Sequence, residues 1–138
     1  MSTINVNISI KSDFQERPDA SVNGTFEMKD GQHVLQWLQL PDKEEPFGAK
    51  YLLTYKIGLG ILDIARTGSV ISKMRFCLGT RTRGEISTPE GSFEVEIFTH
   101  LLDVPEGPND EAHLIYDLIF PGQEPMRNEL MIVLRKID

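Results

Sequence analysis

Apolar and polar residues alternate along most of this chain. Ile4, Val6, Ile8 and Ile10 are separated by Asn5, Asn7 and Ser9, the period of two that sends successive side chains to opposite faces of a strand. Val22, Phe26 and Met28 repeat the pattern against Asn23, Thr25, Glu27 and Lys29. Asp30-Gly31 then supplies the positive-φ pair of a tight hairpin, and the returning strand runs from Val34 to Leu40. Beyond Pro41, Asp42 to Pro46 reads as a polar loop. Tyr51, Leu53, Tyr55 and Ile57 share one face of the next strand. Gly58-Leu59-Gly60 bends the chain, Ile61 to Thr67 returns, and Gly68-Ser69 turns again into Val70 to Leu78.

In that strand Ser72, Met74, Phe76 and Leu78 oppose Ile71, Lys73, Arg75 and Cys77. A short segment from Arg81 to Ser87 follows, then Thr88-Pro89-Glu90-Gly91, a turn with proline at its second position. Phe93, Val95, Ile97, Thr99 and Leu101 alternate with Ser92, Glu94, Glu96 and His100 in the clearest strand of all. Pro105 to Asp110 is a loop; His113 to Phe120 and Leu130 to Ile137 are the last strands, joined by Pro121 to Pro125. No window of about eleven residues carries a helical stripe, and Gln15 to Ala20 holds a turn of helix at most.

The segments predict an all-β, antiparallel meander of about eight to ten strands in a single domain, residues 1–138. A sheet of that size curls, and closure into a barrel removes its exposed edges. A sandwich is the alternative arrangement of the same strands.

Composition narrows the function classes. A net charge of −7 argues against a dedicated nucleic-acid binder, and no apolar run reaches membrane-spanning length. The lone Cys77 excludes an internal disulfide. Met1-Ser2-Thr3 runs straight into alternation without the pattern of a signal peptide. The expected setting is therefore cytoplasmic, and the sequons at Asn7 and Asn23 read as chance.

Against that acidic background, Ile64 to Gly84 carries Arg66, Lys73, Arg75, Arg81 and Arg83 and no carboxylate. Arg66 shares its face with Leu62 and Ile64, so it points where the apolar residues point. An inward guanidinium has to be paired internally or has to meet an anionic ligand, best a carboxylate. Lys73 and Arg75 point to solvent, with Glu94 and Glu96 as expected neighbours. His33, His100 and His113 sit on separate strands without metal-motif spacing, so no metal or cofactor is expected. Cys77 lacks the local signature of a nucleophile. Glu94 and Glu96 read as a solvated strand face rather than a hydrolase pair. Gly58-Leu59-Gly60 lacks the third glycine and following helix of a dinucleotide fingerprint, and Gly79 to Gly84 lacks the lysine and helix of a phosphate-binding loop.

Arg66-x-Gly68, Met74-x-Phe76-x-x-Gly79, Thr88-Pro89-x-Gly91, Thr99, Tyr116-Asp117-Leu118 and Asn128 before a final alternating strand resemble the YwiB-like family of small bacterial proteins. The resemblance spans residues 4 to 137 and implies a calycin or lipocalin-like β-barrel of bacterial, cytoplasmic setting. It implies no reaction and no catalytic residue. The Gly-x-Trp opening of secreted lipocalins is absent, and Trp37 stands mid-strand instead, so no lipocalin ligand chemistry is implied.

Two functional expectations follow. In the first, the barrel is a non-catalytic binding module for a small amphipathic or anionic ligand. Ser72, Met74, Phe76 and Tyr116, with Tyr55, Phe93 and Ile97, then line the site, and Arg66, helped by Arg81 or Arg83, orients the ligand. In the second, the barrel is packed solid and acts through its surface, as a homodimer or as a partner of another protein. The strands at His113 to Phe120 and Leu130 to Ile137 are apolar on both faces, the pattern of a sheet covered on two sides. An enzyme ranks third.

Overall fold

In the computed structural model, which describes residues 3–12, 21–41, 43 and 45–137, the alternation becomes ten strands and, among the described residues, no helix. They are β1 (Thr3–Ser12), β2 (Ser21–Lys29), β3 (Gln32–Gln39), β4 (Ala49–Lys56), β5 (Ile61–Thr67), β6 (Ile71–Cys77), β7 (Arg81–Thr88), β8 (Gly91–Asp103), β9 (Glu111–Ile119) and β10 (Met126–Lys136). Each pairs antiparallel with its chain neighbours, and β1 pairs with β10, from Val6↔Lys136 to Ser12↔Leu130. The sheet is a closed barrel, which settles the choice against a sandwich. The segment read as a turn of helix, Gln15 to Ala20, lies outside the described residues.

Turn chemistry holds the meander in register. Asp30 and Gly31 both adopt positive φ, 46° and 75°, the two-residue geometry that matches strand twist. The turns β2–β3, β4–β5 and β6–β7 and the β8–β9 loop gather at one end of the barrel, here the lower end. The β3–β4 loop and the turns β5–β6, β7–β8 and β9–β10 gather at the upper end.

Inward residues form one core: Val6, Ile8, Phe26, Leu35, Trp37, Leu53, Leu62, Phe76, Val95, Ile97, Ala112, Leu114, Leu118, Ile132 and Leu134. A barrel of ten strands is wider than the eight-stranded kind that ordinary side chains just fill. Aromatic rings make up the difference. Trp37 stacks on Tyr51 with ring centroids 4.9 Å apart and planes 8° from parallel, and Tyr116 meets Phe76 edge-on at 4.9 Å. The lower end is closed by the β8–β9 loop, where His33 Nδ1 lies 2.8 Å from the Pro105 carbonyl oxygen.

Three details differ from the sequence reading. A β-bulge between Thr99 and Leu101 resets the alternation of β8. Leu102, not Leu101, therefore packs against the core, and Leu101 is 37% exposed. Ile57 belongs to the β4–β5 turn rather than to β4, and Leu78 lies past the end of β6. Both are about half exposed, because a turn leaves them no facing layer.

Trp37 fits because its cross-strand neighbour is Gly24. A Cβ added at Gly24 would lie 2.3 Å from the Gln36 carbonyl oxygen, 2.7 Å from Ile8 Cδ1 and 2.9 Å from Trp37 Cβ. Gly24→Ala is therefore expected to lower unfolding free energy by at least about 2 kcal/mol in denaturant titration. Gly58→Ala, whose Cβ would meet nothing within 4 Å, should change it by less than about 0.5 kcal/mol. Equal effects of the two substitutions would refute this account of the Trp37 layer.

Candidate functional site

Period two carries Leu62, Ile64 and Arg66 to the same face of β5, so the guanidinium lies in the inward row at the upper rim. Its register partners are Tyr51 on β4 and Ser72 on β6. The polar loop between β3 and β4 folds over this rim and delivers Glu45, which is 6% exposed. Arg66 Nη2 donates to Glu45 Oε1, Nη1 donates to the Val70 carbonyl, and Nε donates to the Tyr51 hydroxyl at 2.9 Å. The guanidinium carbon also sits 5.5 Å from the Tyr51 ring centroid, within reach of its π-face.

Glu45 is held from a second side. Ser69 donates its hydroxyl to Oε1 at 2.6 Å and its backbone N–H to Oε2 at 3.2 Å. The Ser69 hydroxyl, the Arg66 guanidinium and the Ser69 amide together pull the carboxyl from 4.5 down to about 2. Burial works against the charge on Arg66, but the bonds to Glu45 and Tyr51 outweigh it and raise the guanidinium above its ordinary value. Glycines allow this closeness: a Cβ at Gly68 would lie 3.1 Å from the Gly48 carbonyl oxygen and 3.3 Å from Arg66 Nη1. Gly48 itself has φ 76°, and its N–H donates to the Glu45 carbonyl at 3.0 Å.

Deeper in the barrel, Thr99, Tyr116 and Asn128 face one another across β8, β9 and β10. Thr99 and Asn128 are fully enclosed, at 0% and 1% exposure. Asn128 Nδ2 donates to the Met126 carbonyl at 3.1 Å. Among the described residues, Asn128 Oδ1 and Thr99 Oγ1 have no hydrogen-bond partner.

The residues expected to form one ligand site are divided by the structure. Arg66, Ser72, Met74, Phe76 and Tyr116 belong to the inward wall, with Phe76 1% exposed. Arg81 and Arg83 do not join them. Both point outward, because Thr82 and Gly84 take the inward positions of β7, and Arg81 opens that strand at the lower end, away from Arg66. Arg81 pairs with Glu96 at 3.1 Å on the outer surface. Arg75 pairs with Asp63 through contacts of 2.8 and 3.0 Å, not with the glutamates of β8, because β5 is its neighbour and β8 is not. The cationic island is thus divided: Arg75 and Arg81 form separate outer-wall ion pairs, Lys73 and Arg83 stand exposed on the same outer face, and Arg66 is enclosed at the rim.

The histidines are likewise engaged locally. His100 Nε2 is 2.8 Å from Asp117 Oδ2, and Arg127 reaches both groups, at 3.1 Å to Asp117 Oδ1 and 2.9 Å to His100 Nε2. Burial works to raise the Asp117 carboxyl, yet His100 and Arg127 hold it below its ordinary value. His113 Nε2 contacts Glu129. Cys77 is a partly exposed free thiol on the outer wall.

Glu45 was not legible in the sequence as a site residue. It stands in the charged run Asp42-Lys43-Glu44-Glu45, and only its spacing to Gly48, which closes the loop, distinguishes it.

A closed antiparallel barrel with a charge-paired lid at one rim is the class of protein these features define. The chain belongs to the family described as a domain of unknown function, DUF1934, which matches residues 4–132. Its fold is similar to that in the crystal structure of ywiB protein from Bacillus subtilis, with a TM-score of 0.71 over 99% of this chain and 94% of that one, at 15% identity. Among curated proteins none matches.

Because Glu45 ionises well below its unfolded value, the lid stabilises the fold fully above pH 4.5 and loses that contribution as pH falls toward about 2. The stability gap between the wild type and Glu45→Gln should be widest near neutrality and shrink on acidification through that window. Thermal unfolding across the pH range measures it; a gap independent of pH would refute the assignment. Arg66→Met, which strands the carboxylate, should lower the melting temperature more than the double variant with Glu45→Gln does.

Proposed function

We propose that this chain is a non-catalytic, solid-cored barrel that works through its outer surface as the partner of another polypeptide. One observation carries the reading: the inward residues are almost wholly buried, and the pocket they line beside the β8–β9 loop is small. Between the core and the β8–β9 loop, the cavity lined by Phe26, His33, Leu35, Tyr55, Val104 and Pro105 holds about 20 Å³, the space of roughly one water. Small-molecule sites need about 300–1,000 Å³, so a lipocalin-like use of the interior finds little support. Arg66, the group best suited to orient an anion, is engaged by Glu45, Tyr51 and Val70. The upper rim is apolar on its outside by contrast, with Leu38 63%, Leu40 77% and Phe47 97% exposed. A cytoplasmic setting, consistent with the single free cysteine, is part of this proposal.

The reading as a carrier of a small ligand retains one observation in its favour. Thr99 Oγ1 and Asn128 Oδ1 are buried without a hydrogen-bond partner among the described residues, and a small donor molecule there would meet both. Native mass spectrometry of gently purified protein separates the two readings. The bare polypeptide mass is expected; a small molecule retained in equimolar amount and lost in Thr99→Val or Asn128→Leu would overturn the surface reading.

A further inference from the structure

The barrel is closed, but its ladder is not complete. β8 has thirteen residues and β9 has nine. Pairing between them begins at Glu96↔Ile119, so among the described residues Ser92 to Val95 are paired with β7 on one side only. Continuing the register would set Glu94 opposite Pro121. Proline has no N–H to give to a ladder, and the chain turns away there through Gly122 at φ 74°. Every second residue of Ser92–Val95 therefore aims its N–H and C=O at an open side.

That open side is a groove of about 300 Å³ between Arg83, Glu94, Val95 and Glu96 on one bank and Ile119 to Gln123 on the other. Its charge is uneven. Glu96 is answered by Arg81. Glu94 lies directly across from Glu85, a like-charged cross-strand pair; Glu85 in turn faces Lys73 on β6, whereas Glu94, with Arg83 on the diagonal, has no ion-pair partner among the described residues. On the opposite face of the strand, Phe93 is 48% exposed.

Resting on the surface reading above, we propose that the Ser92–Val95 edge of β8 accepts an added β-strand: an extended segment of another protein carrying a lysine or arginine opposite Glu94 and an apolar side chain against Phe93. The backbone ladder supplies affinity, and the alternating side chains supply selectivity. The cation relieves the Glu85–Glu94 repulsion, which gives the groove its preference for a basic strand over an acidic one.

The test uses the intact chain and three synthetic capped pentapeptides: Thr-Val-Lys-Val-Thr, the same with Glu for Lys, and the lysine peptide with alternate backbone amides N-methylated. Amide chemical shifts and hydrogen exchange are followed by NMR. The lysine peptide should shift and protect the Ser92–Val95 amides, and the other two should not. Glu94→Lys should weaken its binding by more than about fivefold. No response at millimolar peptide, equal binding of the N-methylated peptide, or indifference to Glu94→Lys overturns the proposal. So does concentration-dependent protection of the edge in free protein, which would make the occupant a second copy. If the lysine peptide binds elsewhere on the barrel, the edge assignment falls and the surface reading stands. That reading falls separately, on a retained small molecule.

Discussion

Pairing of β1 with β10 is the constraint from which the rest follows. It turns a meander with two free edges into a cylinder in which every inward side chain shares one interior. Closure removes both edge strands except where β8 outruns β9, and the demand moves inside, where ten strands enclose more space than aliphatic residues fill. Trp37, Tyr51, Tyr55, Phe26, Phe76 and Tyr116 answer that demand as rings packed in layers. Gly24 and Gly84 are the corresponding voids in the wall: a Cβ at Gly84 would come within 3.1 Å of Ile97 Cδ1 and 3.3 Å of Met74 Cγ.

Closure also decides what becomes of Arg66. A residue in the inward row cannot leave the barrel without leaving the ladder. A bare guanidinium there would forfeit hydration. The rim loop resolves this by bringing Glu45 over the top, with Ser69 from the β5–β6 turn completing the carboxylate's bonds. The pair is therefore a consequence of where the strand places the arginine. Such a pair costs much to break and adds little beyond what a well-packed apolar substitute would give. Its value lies in fixing how the loop sits, through Gly48 and Gly68, over the Trp37–Tyr51 stack.

The strands and turns were legible because they rest on local chemistry. Period two, Asp30-Gly31 and Thr88-Pro89-Glu90-Gly91 mark β2–β3 and β7–β8 without reference to anything distant, and the inward direction of Arg66 follows from Leu62 and Ile64 alone. What was not legible depends on contacts distant in sequence. Glu45 reaches Arg66 across twenty-one positions, and nothing in a charged loop announces which carboxylate will do so. The bulge that exchanges Leu101 for Leu102 needs the pairing of β8 with β9 to become visible. Arg81 and Arg83 were grouped with Arg66 because they are near in sequence, whereas the alternation of β7 sends them to the other surface.

The outer wall shows the same economy with a different result. Arg75 with Asp63 and Arg81 with Glu96 join neighbouring strands, and Arg127 ties β10 to Asp117 on β9 and His100 on β8. Exposed pairs of this kind contribute only about 0–1 kcal/mol each. Their more consistent effect is local: each pair leaves no lone charge at its spot on the wall, while the chain as a whole stays acidic at −7. The balance fails where β8 outruns β9, because Pro121 removes the ladder partner at the position where Glu94 meets Glu85. A protein that only needed closure could shorten β8 by those residues. Keeping them leaves an unpaired edge, a net negative side chain and a half-exposed Phe93 in one place, a combination that sheet proteins otherwise suppress and that makes physical sense if something is meant to lie against it.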